Sequence, residues 1–140
     1  MGRRMILFWI VTGICVAGLA YIRLAPSEVA RWHVPLSITE DADMATGAQR
    51  ILETGPGGLA QFDQIARDTP YTTVLAGSVD DDMVTYITRS RVFGFPDYTT
   101  AQQDGDVLKL YGRLRFGKSD VGVNRARLEQ WGRAITGGTD

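Results

Sequence analysis

Asp97 and Asp120 are a pair of residues in this chain whose type suggests chemistry. Two carboxyls around one pocket can serve as general acid and base if they approach within retaining or inverting distances. Near them in sequence stand Arg91, Arg113, Ser119, Asn124 and Arg125. Gathered at one end of a sheet, beside a helix N-terminus, such a set forms a polar pocket suited to an anion. The candidate binding residues are therefore Arg91, Asp97, Arg113, Ser119, Asp120, Asn124 and Arg125. No catalytic residue is assigned, because a nucleophilic Ser119 has no visible activator: His33 is the only histidine, and no lysine base stands in known geometry. The plainer reading takes Ser119 and Asp120 as helix caps and Arg125 and Arg127 as solvated or salt-bridging. One histidine excludes a His-based metal cluster, and the single Cys15 excludes an intramolecular disulfide or a Cys-rich zinc site. No cofactor is expected.

The elements that must position these residues can be read from periodicity. Val107 to Phe116 alternates strictly, with Leu108, Leu110, Leu114 and Phe116 on one face and Lys109, Tyr111, Arg113 and Arg115 on the other. Its partner is Phe95 to Gln102, joined through the Asp104-Gly105 turn, with Pro96 tolerated at the strand's start or edge. Thr72 to Ser78 and Met83 to Arg91 form a second hairpin around Asp80-Asp81-Asp82. Gly47 to Glu53 reads as a short strand, with a helix nearly as plausible. Leu59, Phe62 and Ile65 predict a helix over residues 58 to 67, and Leu128, Trp131 and Ile135 predict a final helix ended by Gly137-Gly138. The expected class is α+β, an antiparallel sheet with about two helices packed on one face.

At 140 residues and net charge −1, the chain has room for one domain. Charge is placed unevenly: residues 26 to 82 carry three bases against ten acids, and residues 83 to 133 carry nine against five. One reading of this asymmetry is an open basic sheet face bearing Arg89, Arg91, Lys109, Arg113 and Arg115. Nucleic acid is a poor partner for a chain of near-zero total charge.

Residues Met5 to Ile22 are uncharged and flanked by Arg3, Arg4 and Arg23. Eighteen helical residues rise about 27 Å, close to a bilayer's hydrocarbon core. This predicts a transmembrane anchor over 1–24. Three positive charges before the run, against Arg23 and Arg31 after it, favour a cytoplasmic N-terminus and an extracytoplasmic domain, periplasmic in a Gram-negative bacterium. The alternative is export after signal cleavage near Ala20, since Gly18-Leu19-Ala20 has the small-x-small pattern. Residues 25–40 are expected as a juxtamembrane linker lying on the bilayer or on the domain, with Trp32 and His33 as an interfacial aromatic pair. Residues 41–136 are then the α+β domain and 137–140 a tail.

The stretch from Thr88 to Tyr98, followed by Tyr111 to Arg127, resembles the family catalogued as domain of unknown function fourteen ninety-nine. The second half carries most of the likeness, through Arg113, Gly117, Ser119, Asp120, Gly122, Val123, Asn124, Arg125 and Arg127. Gly112 departs from the family's serine, and Pro96 stands where many members have an acidic residue or valine. The resemblance implies a fold and membrane-associated or exported relatives; it supplies no catalytic residues. The favoured function is thus a membrane-tethered, non-catalytic binding module for an anionic ligand, a lipid or an envelope protein partner. The alternative is a small hydrolase or lipid-modifying enzyme using Asp97 and Asp120.

Overall fold

A computed structural model describes residues 2–137. Gly138 and the rest of the expected tail lie outside the described residues. Helix α1 (Arg3–Leu24) stands clear of the remainder along most of its length and buries none of its residues. It is long and apolar enough to cross a membrane, a property that signal sequences share.

The rest of the chain is built on one antiparallel sheet. Its strands are β1 (Ala42–Met44), β2 (Gly47–Glu53), β3 (Thr72–Ser78), β4 (Met83–Arg89), β5 (Pro96–Asp104) and β6 (Val107–Leu114), in the order β1-β2-β6-β5-β4-β3. The central hairpin pairs Asp97 with Leu114, Ala101 with Leu110 and Asp104 with Val107, and Gly105 supplies the positive φ that the turn needs. Pro96 begins its strand, where a missing N–H is tolerated. Period two then sorts the side chains. Leu108, Leu110, Ala101, Val84 and Tyr86 face one layer, formed by helices α3 (Gly58–Asp68) and α4 (Val123–Thr136). Phe62 of α3 meets Trp131 of α4 edge-on at 5.2 Å and Tyr86 at 5.6 Å, so one aromatic cluster joins both helices to the sheet. Its polar tips are bonded: Trp131 donates to Thr69 Oγ1 at 2.9 Å and Tyr86 to Asp63 at 2.7 Å. Burial, then that Asp63 bond, push the Tyr86 phenol well above its ordinary value. Phe116, expected on the core face of a longer strand, lies beyond the end of β6 and outside this cluster.

The opposite face of the sheet, expected as an open basic surface, is covered. Residues 25–38, including the short helix α2 (Val29–Trp32), lie across it as a strap. Trp32 stacks flat on Tyr98, centroids 3.8 Å apart and planes 7° from parallel. Arg113, only 8% exposed, donates to the Trp32 carbonyl, to Thr100 Oγ1 at 2.9 Å and to the Tyr111 carbonyl at 3.0 Å. Its guanidinium also sits 4.8 Å from the Tyr111 ring and 5.5 Å from the Trp32 ring, within cation–π range. Further along, His33 Nδ1 bonds Thr85 Oγ1 at 2.9 Å and the Leu36 N–H donates to Gln102 at 2.6 Å. Trp32 and His33 are thus packed on the sheet and are not an interfacial pair. Lys109 pairs with Asp104, and Arg115 donates to the Pro26 carbonyl and to Tyr98 Oη. The period of β6 was sound, but alternation says only that a face differs, not that it is bare.

Burial draws the Arg113 pKa down to about 10, still cationic at neutral pH, so the strap's carbonyl is its compensation for lost water. Arg113→Met should strip that carbonyl of its charged donor and leave it the longer Thr100 hydroxyl bond of 3.2 Å, costing about 1.5–3 kcal/mol. In the whole protein, held in detergent micelles, trypsin should then cut after Arg31 markedly sooner than in the wild type. Unchanged cleavage would show that Trp32 stacking and the strap's other bonds, such as His33 to Thr85 and Leu36 to Gln102, hold it without Arg113.

Candidate functional site

At the end of the sheet where β4 passes to β5 and β6 passes to α4, two loops close over a cavity. The first, residues 90–95, is tied on itself: Ser90 N–H donates to the Phe95 carbonyl at 2.9 Å and Phe95 N–H to Ser90 Oγ at 2.8 Å. The second, residues 115–122, ends in two left-handed residues, Val121 (φ 49°) and Gly122 (φ 82°). That reversal moves the cap. Gly122 occupies the N-cap position of α4 and makes no side-chain cap bond. Asp120 does the work from two residues further back, accepting Gly122 N–H on one oxygen at 2.9 Å and Asn124 N–H on the other at 3.1 Å. Ser119 Oγ accepts from Val121 N–H at 3.1 Å.

Asn124 is fully buried and links these groups. Its Nδ2 donates to Asp120 at 2.8 Å, and its Oδ1 accepts from Arg127 at 3.0 Å. Arg127 in turn reaches Asp97 at 3.3 Å, with both side chains largely buried. A continuous polar chain, Asp120–Asn124–Arg127–Asp97, thereby joins the loop after β6, helix α4 and strand β5. Burial is the largest influence on Asp97 and pushes its carboxyl above the ordinary range; Arg127 pulls the other way and Asp120 adds a smaller upward push. Gly112 lies beneath Asn124, and a Cβ there would stand 2.9 Å from Asn124 Oδ1, which accounts for glycine at this position of β6.

The cavity holds about 330 Å³. Phe95, Leu114, Phe116 and Val123 form an apolar side, while Asp97, Asp120 and Arg127 form a polar one, with Ser90 and Ser119 at its margins. Of the expected set, Asp97, Ser119, Asp120 and Asn124 come together. Arg113 does not join them, since it projects from the other face of the sheet. Arg91 is exposed on its loop and does not line the cavity, and Arg125 points to a neighbouring hollow, 3.8 Å from Asp43. The arginine that enters is Arg127. Its signal was available: it follows Asn124 by three positions, which puts both on one helix face, whereas Arg125 lies about 100° around the axis. Among the described residues no three His, Cys, Asp or Glu side chains gather as a metal ion would require.

Asp120 has both oxygens engaged by the helix start, while Asp97 meets Arg127 through one of its oxygens.

The family described as "Protein of unknown function (DUF1499)" matches residues 25–135. The chain belongs to this family. The match takes in the strap as well as the sheet, in keeping with the way Trp32 completes the buried surface around Arg113 and Tyr98. The DUF1499 segment also contains the whole cavity and every residue of its polar chain. No curated protein and no solved structure matches the chain.

Two measurements test this account of the DUF1499 site. Gly112→Ser forces Asn124 to move and should destabilise the protein by about 1–3 kcal/mol, read by chemical denaturation of the whole chain in micelles. The second concerns pH. A carboxyl raised in the folded state binds its proton more tightly there than in the unfolded chain. The resulting stability is fully present below 3.8 and is lost as pH climbs through the raised folded value. Asp97→Asn should therefore remove a decline in stability that the wild type shows above about pH 4. A wild-type stability that instead rises through this window relative to the variant would mean that Arg127 outweighs burial.

Proposed function

We propose that this chain is a single-pass, membrane-anchored binding protein that takes the head of a lipid-like amphiphile into the cavity beside its anchor. One observation carries the reading: Phe116 lines the cavity and also packs edge-on against Tyr21 of α1, ring centroids 6.1 Å apart. The cavity therefore opens beside the place where the apolar helix ends. With α1 retained as the anchor and its N-terminus in the cytoplasm, the domain lies on the extracytoplasmic side, a reading that the charge bias at the two helix ends supports. Cleavage near Ala20 would instead release it.

The lining supports an amphiphile. Phe95, Leu114, Phe116 and Val123 suit acyl or ring carbons, and Asp97, Asp120 and Arg127 on the other side give a polar head hydrogen-bonding groups. The isolated anion considered from sequence fits less well, because Arg127 is already paired with Asp97. A second reading, hydrolysis by Asp97 and Asp120, draws support from the raised Asp97 carboxyl but has both Asp120 oxygens engaged by the helix start.

The test is native mass spectrometry of the full chain extracted from membranes. Wild type should carry an adduct of lipid mass. Val123→Trp, which fills the cavity, should lose it, and Gln130→Trp, on the exposed side of α4, should keep it. An adduct indifferent to filling, or none in the wild type, would sink the proposal.

A further inference from the structure

The cavity's surroundings carry an inference that does not depend on what the cavity binds. Apolar side chains protrude at this end of the sheet from both loops: Val92 is 70% exposed, Phe93 52% and Val121 88%. Val121 is β-branched yet holds a left-handed backbone, a strained combination that turns its side chain outward.

The end of α1 is fastened to the same place. Arg23 donates to the Val92 carbonyl at 2.9 Å, Arg89 donates to the Ile22 carbonyl at 3.4 Å, and Tyr21 rests on Phe116. Ile22 is the last residue of the uncharged run, so the protruding loops lie at the level where the apolar helix stops. Charge is segregated along the strands as well. The anchored end, marked by the Arg89–Pro96 and Asp97–Leu114 pairs, carries Arg23, Arg89, Arg91, Arg115, Lys118, Arg125 and Arg127 against the acids Asp43, Asp97 and Asp120. The other end, marked by the Ser78–Met83 and Asp104–Val107 pairs, carries Glu53, Asp80, Asp81, Asp82, Asp104 and Asp106.

We infer that the anchored end docks on the bilayer that α1 crosses, with Val92, Phe93 and Val121 in the interfacial layer. The basic residues then meet anionic headgroups and the acidic turns face away from the membrane. Apolar and aromatic side chains ringed by cations suit that layer, and like charge at the far end disfavours the inverted pose. The inference rests on α1 being retained as a membrane anchor; it is separate from the identity of any bound amphiphile.

The full chain, with Cys15→Ser to free the labelling chemistry, is reconstituted into vesicles of phosphatidylcholine and phosphatidylglycerol. Single nitroxide labels go on Ile10→Cys, Phe93→Cys, Val121→Cys and Asp81→Cys, with Val92→Cys as a second loop position should either loop variant fold poorly. Accessibility to oxygen over that to a water-soluble nickel complex should be several-fold higher at 93 and 121 than at 81, and high at 10. A high ratio at 10 with water-like values at 93 and 121 overturns the docking and leaves the anchor standing. A water-like value at 10 overturns the anchor and the docking together. Labels at 93 and 121 shielded from both reagents overturn it in favour of a second copy or a protein partner on this surface.

Discussion

Arg113 is a cation buried against the sheet, held by two backbone carbonyls, one threonine hydroxyl and two aromatic faces. A charge withdrawn from water in this way needs acceptors in fixed positions, because an unpaired ion in a low-dielectric interior is far more costly than an unpaired amide. One of those acceptors belongs to Trp32, so the strap is immobilised where Arg113 can use it. The position of the strap then sets where α1 leaves the domain, at the loop of residues 90–95 and at Phe116. The place of the cavity relative to the anchor follows from the strap that Arg113 helps to hold, together with the direct bonds of Arg23 to Val92 and Arg89 to Ile22.

The second ordering device is the buried polar chain through Asn124. It resembles a helix cap extended into a network: Asp120 satisfies the first turn of α4, Asn124 passes the bonding to Arg127, and Arg127 holds Asp97. Each member is bonded to the next, which holds the group in one arrangement. Close approach makes the network possible. Gly112 leaves the space that Asn124 fills, and Gly47, paired across from Arg113, lies so near the Gly112 carbonyl that a side chain would collide with backbone.

The uneven charge of the chain takes on a different meaning in three dimensions. Sequence halves of opposite sign suggested an open basic sheet face. The antiparallel sheet instead sorts charge by strand end, with acidic turns at 80–82 and 104–106 far from the anchor and bases clustered near it. An even number of reversals brings residues 23, 89, 115 and 125 to one end although they are spread over the chain. The result is a domain with a charge axis along its strands.

Much of the scaffold was legible from sequence. Strands 47–53 and 72–78 have the expected limits, the helix after the Thr54–Gly58 break runs one residue further at its end, and the α+β class with two helices on one face follows from apolar periodicity. These features are local: side-chain period, turn residues and caps act over a few positions and are written directly in the chain. The apolar run of residues 5–22 was equally plain, since length and composition define it. The site was half legible. Asp97, Asp120 and Asn124 were named, but Arg127 was passed over for Arg125, and Arg113 was assigned to a pocket on the wrong side of the sheet. The Trp32–Arg113 bond joins residues 81 positions apart, and the Arg127–Asp97 bond joins residues 30 apart. Only tertiary structure decides such pairs, because a charged face with period two reads the same whether it meets water or is covered by a distant segment whose carbonyl replaces water.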